Sequence, residues 1–205
     1  MAGTFALMGQ RRFLPLFATQ FLNAFNDNFY KMAMIVLVTF TIYKDPTYEA
    51  WFNALAGGIF ILPYFLFSAL AGQLADRGDK TKIIHLVKTA EIGFMLVGAL
   101  GIYTHNVPIM LTALFFMGIH SSFFGPIKYA ILPQHLNENE VLAGTGWVEA
   151  GTYIAILGGT IVGGLLPAEY SMIGIVIVAI IGRITAAQVP PAPAEVEAEG
   201  LKLDY

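Results

Sequence analysis

Polar positions divide this chain into six long apolar segments, each long enough to cross a lipid bilayer as a helix. A hydrocarbon core of about 30 Å requires about 20 helical residues. The segments cover residues 13–43, 50–75, 83–103, 107–132, 141–166 and 171–189, with short polar stretches between them. Because such short connections force neighbouring helices to run antiparallel, the pattern predicts an all-α, polytopic membrane protein with six transmembrane helices.

The two ends of the chain differ from the apolar segments. Residues 1–12 are expected to form a short cytoplasmic leader before the six-helix transmembrane domain, which covers residues 13–189. Residues 190–205 combine closely spaced prolines with glutamates and cannot bury enough apolar surface to fold alone. We expect a Pro/Glu-rich cytoplasmic linker or tail there, which also suggests that the chain is the first part of something longer.

Composition supports membrane insertion and excludes several kinds of function. Hydrophobic residues make up 57% of the chain and charged residues only 12%, with a mean hydropathy of +0.67. A net charge of −3 without a basic tract argues against a nucleic-acid partner. The absence of cysteine excludes disulfides and thiolate metal sites, and the four histidines are scattered. We therefore expect neither a metal nor a cofactor.

The distribution of lysine and arginine predicts the orientation in the membrane. With the N-terminus inside, the cytoplasmic side collects Arg11, Arg12, Arg77, Lys80, Lys82 and Arg183. The opposite side receives only Lys44. Since basic residues favour the cytoplasmic side, both termini are expected in the cytoplasm.

The first apolar segment contains a polar cluster near its midpoint, formed by Asn26, Asp27, Asn28 and Lys31. Ionisable groups at this depth usually face a bundle interior or a wet cavity, because their transfer into lipid is costly. Asp27 and Lys31 lie four residues apart and can meet on one helix face, so an internal ion pair that fixes helix packing is one interpretation. The flanking asparagines favour the other, a cavity that binds a polar ligand.

Other charged residues lie within later segments. Lys88 and Glu91 are three residues apart and form either a structural pair or part of a site, with Lys88 able to extend toward the interface. Lys128 lies either in the cavity or at the membrane edge, and Glu149 either binds ligand or balances a charge on another helix. The predicted substrate-binding residues are Asn26, Asp27, Asn28, Lys31, Lys128 and Glu149.

Glycine and proline within the segments predict how the helices pack. Gly159 and Gly163 form a GxxxG pair that lets two helix backbones approach closely, which favours a packing role over contact with substrate. Pro63 and Pro126 lie inside the second and fourth segments and are expected to kink them.

No catalytic constellation is present in the sequence. No nucleophile is paired with a base at a recognisable spacing, and no glycine-rich phosphate-binding loop occurs. We therefore predict no catalytic residue. A membrane-embedded enzyme that remodels lipids stays open only as a fusion with a domain beyond residue 205.

The loop at residues 72–82 reads GQLADRGDKTK and joins the second and third segments. It resembles the signature cytoplasmic loop of the major facilitator superfamily, which lies at the same place between helices. Asp79 stands where that family has glycine, and Thr81 where it has a basic residue. The resemblance implies a charge relay that latches the cytoplasmic face. The corresponding gating residues are Gly72, Asp76, Arg77 and Lys80.

Three further stretches narrow the resemblance. Residues 12–28, 124–133 and 146–152 are similar to the bacterial lysophospholipid transporters, and residues 190–202 resemble the link between the two six-helix halves of that family. The resemblance covers essentially the whole chain, but only the N-terminal half of a twelve-helix transporter. It implies the N-terminal half of a major facilitator superfamily fold and a missing C-terminal half as partner.

The resemblance implies movement of lysophospholipids, chiefly lysophosphatidylethanolamine, to the inner leaflet of the bacterial cytoplasmic membrane for re-acylation. Some relatives are fused to an acyltransferase, which would be a further partner besides the bilayer. The phosphate would meet Lys31 or Lys128, and the ammonium Asp27 or Glu149. The acyl chain would lie against Phe21, Phe25 and Phe29.

Several alternatives remain open at this stage. The chain could transport another small amphiphile or a solute, act as a structural or assembly subunit, or be an inactive half or a module of a transporter–acyltransferase fusion. Neither the driving force nor the head-group preference follows from the sequence.

Overall fold

Six long helices pack side by side in the computed structural model, which describes residues 4–45 and 47–194. The elements are a short 3-10 helix Thr4–Gly9, α1 Leu14–Val36 with its π-helical continuation Leu37–Tyr43, α2 Thr47–Arg77, α3 Lys80–Tyr103, α4 Val107–Ala130, the single turn α5 Leu132–His135, α6 Glu138–Leu165 and α7 Ala168–Ala186. The described residues contain no strand. The prediction of an all-α, polytopic membrane protein is confirmed.

Five of these helices, α2, α3, α4, α6 and α7, are long and apolar enough to cross a membrane. The helix α1 is not among the five, because its many amides and charges lower its hydropathy. It packs against α6 along one side and α7 along another, and twelve of its residues are buried. The first predicted segment is therefore a long helix, but one whose polar groups are shielded by its neighbours.

Two glycines of α6 bring its backbone against α1. A Cβ atom added at Gly163 would lie 2.5 Å from the Phe29 carbonyl oxygen, and one added at Gly159 would collide with the Phe25 carbonyl oxygen. No side chain fits between the two backbones at these points. The GxxxG pair thus has the packing role that the sequence favours.

The helices α2 and α4 approach each other in the same way. A Cβ atom at Gly118 of α4 would meet the Phe60 carbonyl oxygen and would lie 2.9 Å from Cγ of Pro63. The helix α2 continues through Pro63 to Arg77, and the ring of this proline is buried against α4. This contact fixes the position of Phe60, which lines the pocket described below.

The predicted leader is attached to the bundle over its described residues. The Phe5 ring meets the edge of the Trp147 ring at a centroid distance of 5.3 Å, and Leu7 is buried. Arg12 Nη2 binds Glu140 Oε1 at 2.7 Å, at the start of α6. These contacts place Phe5 and Arg12 beside the N-terminal part of α6.

The first residues of the predicted linker also pack on the bundle. The main-chain nitrogen of Lys80 donates to the Ala192 carbonyl oxygen at 3.0 Å, and Thr81 Oγ1 donates to the Pro190 carbonyl oxygen at 2.8 Å. Ala192 is fully buried. Residues 190–192 are thus attached to α3 through main-chain carbonyl acceptors, whereas Pro191, Pro193 and Ala194 are exposed. The linker or tail stays a prediction. Residues 195–205, which hold the glutamates of the predicted linker, lie outside the described residues.

Candidate functional site

A polar pocket of about 150 Å³ opens between α1, α2, α4 and α6. Its lining residues are Gln20, Asn23, Ala24, Asp27, Asn28, Phe60, Tyr64, Ser121, Phe124, Gly125, Lys128, Thr152 and Ile156. Of the six predicted binding residues, the structure brings Asp27, Asn28 and Lys128 to this pocket. Four helices contribute polar side chains, so the site depends on the tertiary arrangement.

The polar face of α1 supplies the inner wall of the pocket. Gln20, Asn23 and Asp27 follow one another at spacings of three and four residues and therefore share one helix face. Lys31 lies one turn further, with Nζ 5.9 Å from the centroid of the Phe60 ring. No ion pair joins Asp27 and Lys31, both in the described part of the chain. The interpretation that such a pair fixes helix packing is wrong. Lys31 does not line the pocket, but it contacts the Phe60 ring, which does.

Asp27 is held from two sides and keeps one oxygen free. Its Oδ2 accepts hydrogen bonds from Ser121 Oγ at 2.5 Å and from Asn23 Nδ2 at 3.3 Å. Its Oδ1 has no hydrogen-bond partner within the described residues, and the side chain is buried. A buried carboxylate oxygen without a donor is costly, so a cationic ligand would gain from binding there.

Lys128 lines the polar pocket, whereas Glu149 does not. Lys128 Nζ donates to Thr152 Oγ1 at 3.3 Å, and Thr152 Oγ1 donates to Gln20 Oε1 at 2.9 Å. These contacts place Lys128 in the cavity and not at the membrane edge. Glu149 accepts a hydrogen bond from the Tyr129 hydroxyl and does not line the pocket.

Asn26 points away from the pocket into a second polar cluster. Its Nδ2 donates to Glu91 Oε1 at 2.9 Å and to the Ile175 carbonyl oxygen at 3.2 Å. Glu91 forms an ion pair with Lys88, and neither side chain has any exposed surface. The interpretation that Lys88 extends to the membrane interface is therefore wrong. The contact of Asn26 with substrate predicted from the sequence finds no support in this geometry.

His120 is a polar residue to which the sequence analysis assigned no role. Its Nε2 lies 3.4 Å from Glu91 Oε2, and its Nδ1 lies 3.3 Å from Ser121 Oγ. The side chain is buried, and its ring stacks on the Phe124 ring at a centroid distance of 6.5 Å. The sequence feature that could have identified His120 is its position inside an apolar segment, where it is followed by two serines.

The predicted gating residues lie where α2 ends and α3 begins. Gly72 and Asp76 belong to the last turns of α2, Arg77 is its final residue, and Lys80 is the first residue of α3. Asp76 is exposed, whereas Lys80 is buried with no partner for Nζ within the described residues. The charge relay among them stays a prediction.

Asp79, which departs from the family pattern, has a local structural role. Its side chain accepts a hydrogen bond from the main-chain nitrogen of Lys82 at 3.0 Å and caps the N-terminus of α3. That main-chain donor is the first cause that holds the pKa of the Asp79 carboxyl below its usual value.

The phenylalanines expected to hold an acyl chain mostly serve helix packing. Phe29 is only 2% exposed, and its ring lies 2.9 Å from the Cβ position of Gly174 on α7. Phe25 packs against Gly158 of α6. Phe29 therefore has no surface for a ligand, and this expectation is corrected.

An apolar surface suited to such a chain lies on α2 instead. A second, more open pocket of about 530 Å³ adjoins the polar one. Its lining residues are Phe60, Ile61, Tyr64, Phe65 and Ser68. Phe60 and Tyr64 line both pockets, so polar and apolar surfaces are continuous.

Comparisons with known proteins agree with this architecture. The family model described as Major Facilitator Superfamily matches residues 16–201. A protein named lysophospholipid transporter LplT from Photorhabdus laumondii is 32% identical over 148 residues, covering 72% of this chain and 34% of its own. One of the same name from Salmonella paratyphi B is 31% identical over 153 residues, covering 75% of this chain and 36% of its own.

This chain spans about a third of the length of these curated relatives. The family match, in contrast, covers nearly all of the helical bundle, from α1 to beyond α7. The order of the helices and the loop between α2 and α3 fit the same assignment. The chain therefore belongs to the Major Facilitator Superfamily.

Proposed function

We propose that this chain binds lysophospholipids and moves them across the membrane. The observation that carries the proposal is the continuity between the polar pocket and the apolar pocket through Phe60 and Tyr64. A lysophospholipid combines a charged head group with a single acyl chain and needs these two surfaces side by side. The names of the relatives, which describe lysophospholipid transporters, support the same substrate class.

The head group of lysophosphatidylethanolamine carries a phosphate and an ammonium. Lys128 in the polar pocket offers a cation for the phosphate, and Thr152 holds its Nζ in place. The free Oδ1 of Asp27 offers an acceptor for the ammonium. Opposite charges on opposite walls favour a zwitterion over a ligand with one charge. Lys31 and Glu149 lie outside the pocket lining and are assigned no direct contact.

The acyl chain lies along α2 in this proposal. The Phe65 ring is 80% exposed and Tyr64 is 37% exposed, and both residues line the apolar pocket. Apolar surface of this kind stabilises a bound chain by roughly 0.8 kcal/mol per buried methylene group. The face is also one that a second six-helix half would cover, which is the partner proposed for this chain.

The proposed setting is the bacterial cytoplasmic membrane, with both termini inside and residues 13–189 as the transmembrane domain. The chain has no cysteine, so single cysteines report topology cleanly. Tyr48→Cys and Tyr170→Cys should react with an impermeant maleimide added outside cells, whereas Lys82→Cys and Asn139→Cys should react only after permeabilisation. Labelling of Lys82→Cys from outside would contradict the orientation.

Binding and transport in proteoliposomes test the function. Radiolabelled lysophosphatidylethanolamine should bind and cross to the inner leaflet. Asp27→Asn and Lys128→Met should each lose about tenfold or more in affinity, since each removes a charge-assisted contact. Glu49→Gln and Lys44→Asn, at the exposed far end of the bundle, are the matched charge controls. Near-normal transport by both pocket variants would contradict the proposal.

Two partial ligands separate this function from its alternatives. Glycerophosphoethanolamine has the head group without the chain, and a free fatty acid has the chain without the phosphate. Both should compete weakly. Strong competition by glycerophosphoethanolamine would favour a transporter of polar solutes, and strong competition by the fatty acid would favour another amphiphile.

A further inference from the structure

Six side chains form a closed ring behind the polar pocket. They are Asp27, Ser121, His120, Glu91, Lys88 and Asn23. The ring is completed where Lys88 Nζ donates to Asn23 Oδ1 at 3.4 Å, and Asn23 Nδ2 donates to Asp27 Oδ2 at 3.3 Å. Only Asp27, Asn23 and Ser121 also line the pocket. The ring therefore has one side toward the ligand, and its other members, Lys88, Glu91 and His120, are buried.

The charges of the ring do not balance when His120 is neutral. Lys88 contributes one positive charge, whereas Glu91 and Asp27 contribute two negative charges. The ion pair between Lys88 and Glu91 leaves Asp27 without a counter-charge of its own in the ring. An uncompensated charge in a buried site is strongly unfavourable. One added proton would bring the ring to neutrality.

The geometry offers that proton two places and a path between them. Ser121 Oγ lies 2.5 Å from Asp27 Oδ2 and 3.3 Å from His120 Nδ1, and a hydroxyl can accept and donate at once. Asp27 takes a proton from water in the pocket and passes it to Ser121 Oγ. Ser121 gives its own proton to His120 Nδ1, and the Asp27 carboxylate is regenerated. This transfer requires the neutral His120 tautomer with hydrogen on Nε2, which faces Glu91.

Other titratable groups surround the ring, and Tyr64 interacts directly with Ser121 of the ring. Tyr64 of α2 lines the same pocket, and Lys128 of α4 is bonded to Thr152. Lys31 of α1 lies over the Phe60 ring, and the backbone of Gly182 on α7 packs against Lys88. Arg183 of α7 donates to Thr89. Glu149 of α6 accepts from Tyr129. None of these forms an ion pair with Asp27 in the part of the chain that the structure describes.

We propose that this ring is a proton-binding site and that a substrate ammonium displaces its proton. The ammonium supplies at Asp27 the positive charge that the proton supplied before, so one proton leaves to the pocket water for each head group bound. The inference rests on the proposed function. It adds that the transporter exchanges a proton for its substrate, and that affinity falls as pH falls through the range in which the ring is protonated.

Proton release on binding tests the charge count. The chain, in weakly buffered detergent with a pH-sensitive dye, is titrated with lysophosphatidylethanolamine at several pH values between about 5 and 8. We expect a maximum of about one proton released per ligand bound. Glu91→Gln removes one negative charge and should reduce the release to near zero while the pocket residues stay in place. The double variant Lys88→Met with Glu91→Gln restores the net negative charge and should restore the release.

Glu49→Gln, at the exposed end of α2, is the matched control and should release as many protons as the wild type. Binding without proton release at every pH would overturn the proton site while the proposed function stands. Equal release by the wild type and Glu91→Gln would also overturn it. Absence of binding would defeat the proposed function instead.

A measurement without substrate decides the proton site independently. Ring-nitrogen NMR signals of His120 in lipid nanodiscs should change with pH, and Asp27→Asn should move that change by about half a pH unit or more, because the two groups share one proton. His105→Asn, on the exposed far side, identifies a remote histidine signal and should leave the His120 signals unaltered. His120 signals that do not respond to Asp27→Asn would overturn the inference, whatever the ligand result.

Discussion

Ser121 Oγ donates a 2.5 Å hydrogen bond to Asp27 Oδ2 and so joins α4 to α1 at the inner wall of the polar pocket. The two residues are 94 positions apart in the chain. The bond holds one carboxylate oxygen, whereas the other, Oδ1, is buried without a hydrogen-bond partner within the described residues. It also connects the pocket with the buried pair of Lys88 and Glu91.

Ser121→Ala tests this bond. The variant removes one donor from a buried carboxylate, and we expect the free energy of unfolding to fall by about 1–3 kcal/mol. Ser121→Thr keeps a hydroxyl and should lose less. The measurement is denaturant unfolding of the purified chain in detergent micelles. Equal stability of Ser121→Ala and wild type would show that the bond contributes little.

The buried ion pair of Lys88 and Glu91 predicts strongly unequal effects of single and double replacement. Lys88→Met leaves an unpaired buried carboxylate, and a loss of about 3–5 kcal/mol in unfolding free energy is expected. Lys88→Met combined with Glu91→Gln should be more stable than Lys88→Met alone. A double-mutant cycle from unfolding curves measures the coupling. If the losses in unfolding free energy of the two single variants simply add in the double variant, Lys88 and Glu91 do not form a direct pair.

Gly159→Ala should separate α6 from α1. The new methyl group would collide with the Phe25 carbonyl oxygen, and overpacking of this kind costs about 1–3 kcal/mol. Gly146→Ala lies on the same helix with no neighbouring atom within 4 Å of its Cβ position, and it is the matched control. Unfolding curves compare the two variants. If both are equally stable, the close contact of α1 and α6 does not exist.

Asp79→Ala should lower the free energy of unfolding by about 1 kcal/mol. The variant loses the hydrogen bond from the Lys82 main-chain nitrogen that caps the N-terminus of α3. The pKa of Asp79 is lowered in the folded chain, so its stabilising effect is present above the unfolded pKa and is lost as pH falls through the folded pKa. The stability difference between wild type and Asp79→Ala should therefore shrink at acidic pH. A stability difference between wild type and Asp79→Ala that stays constant with pH would contradict capping by the ionised Asp79 side chain.

Phe65→Ser should alter the response to acyl-chain length. In the wild type, longer lysophosphatidylethanolamine chains taken from water should bind more tightly, because each further methylene transferred from water onto α2 adds roughly 0.8 kcal/mol. Loss of the exposed Phe65 ring removes part of that surface and should flatten the dependence. Leu142→Ser, an exposed apolar residue at the start of α6, is the control. If the affinity of Phe65→Ser depends on acyl-chain length as in the wild type, the acyl chain does not bind against Phe65.

The sequence by itself determined the helical, membrane-spanning character of the chain. Apolar runs of sufficient length and their polar separators are local properties, so they could be read without a structure. The cost of amides and charges at mid-membrane pointed to Asp27, and the GxxxG spacing pointed to the contact of Gly159 and Gly163. Helical spacing places Asn23 on the same face as Asp27.

Tertiary structure alone decided which polar groups meet. Asn26 and Asp27 are adjacent in sequence, yet one faces Glu91 and the other faces the pocket, because successive residues on a helix point about 100° apart. Phe29 has no surface for a ligand, since a glycine of α6 and one of α7 pack closely against it. His120 lies beside Glu91 of α3 and its own neighbour Ser121, and only the packing of α3 against α4 brings the first of these to it. Such contacts depend on how helices pack, which the local pattern of hydrophobic and polar residues does not specify.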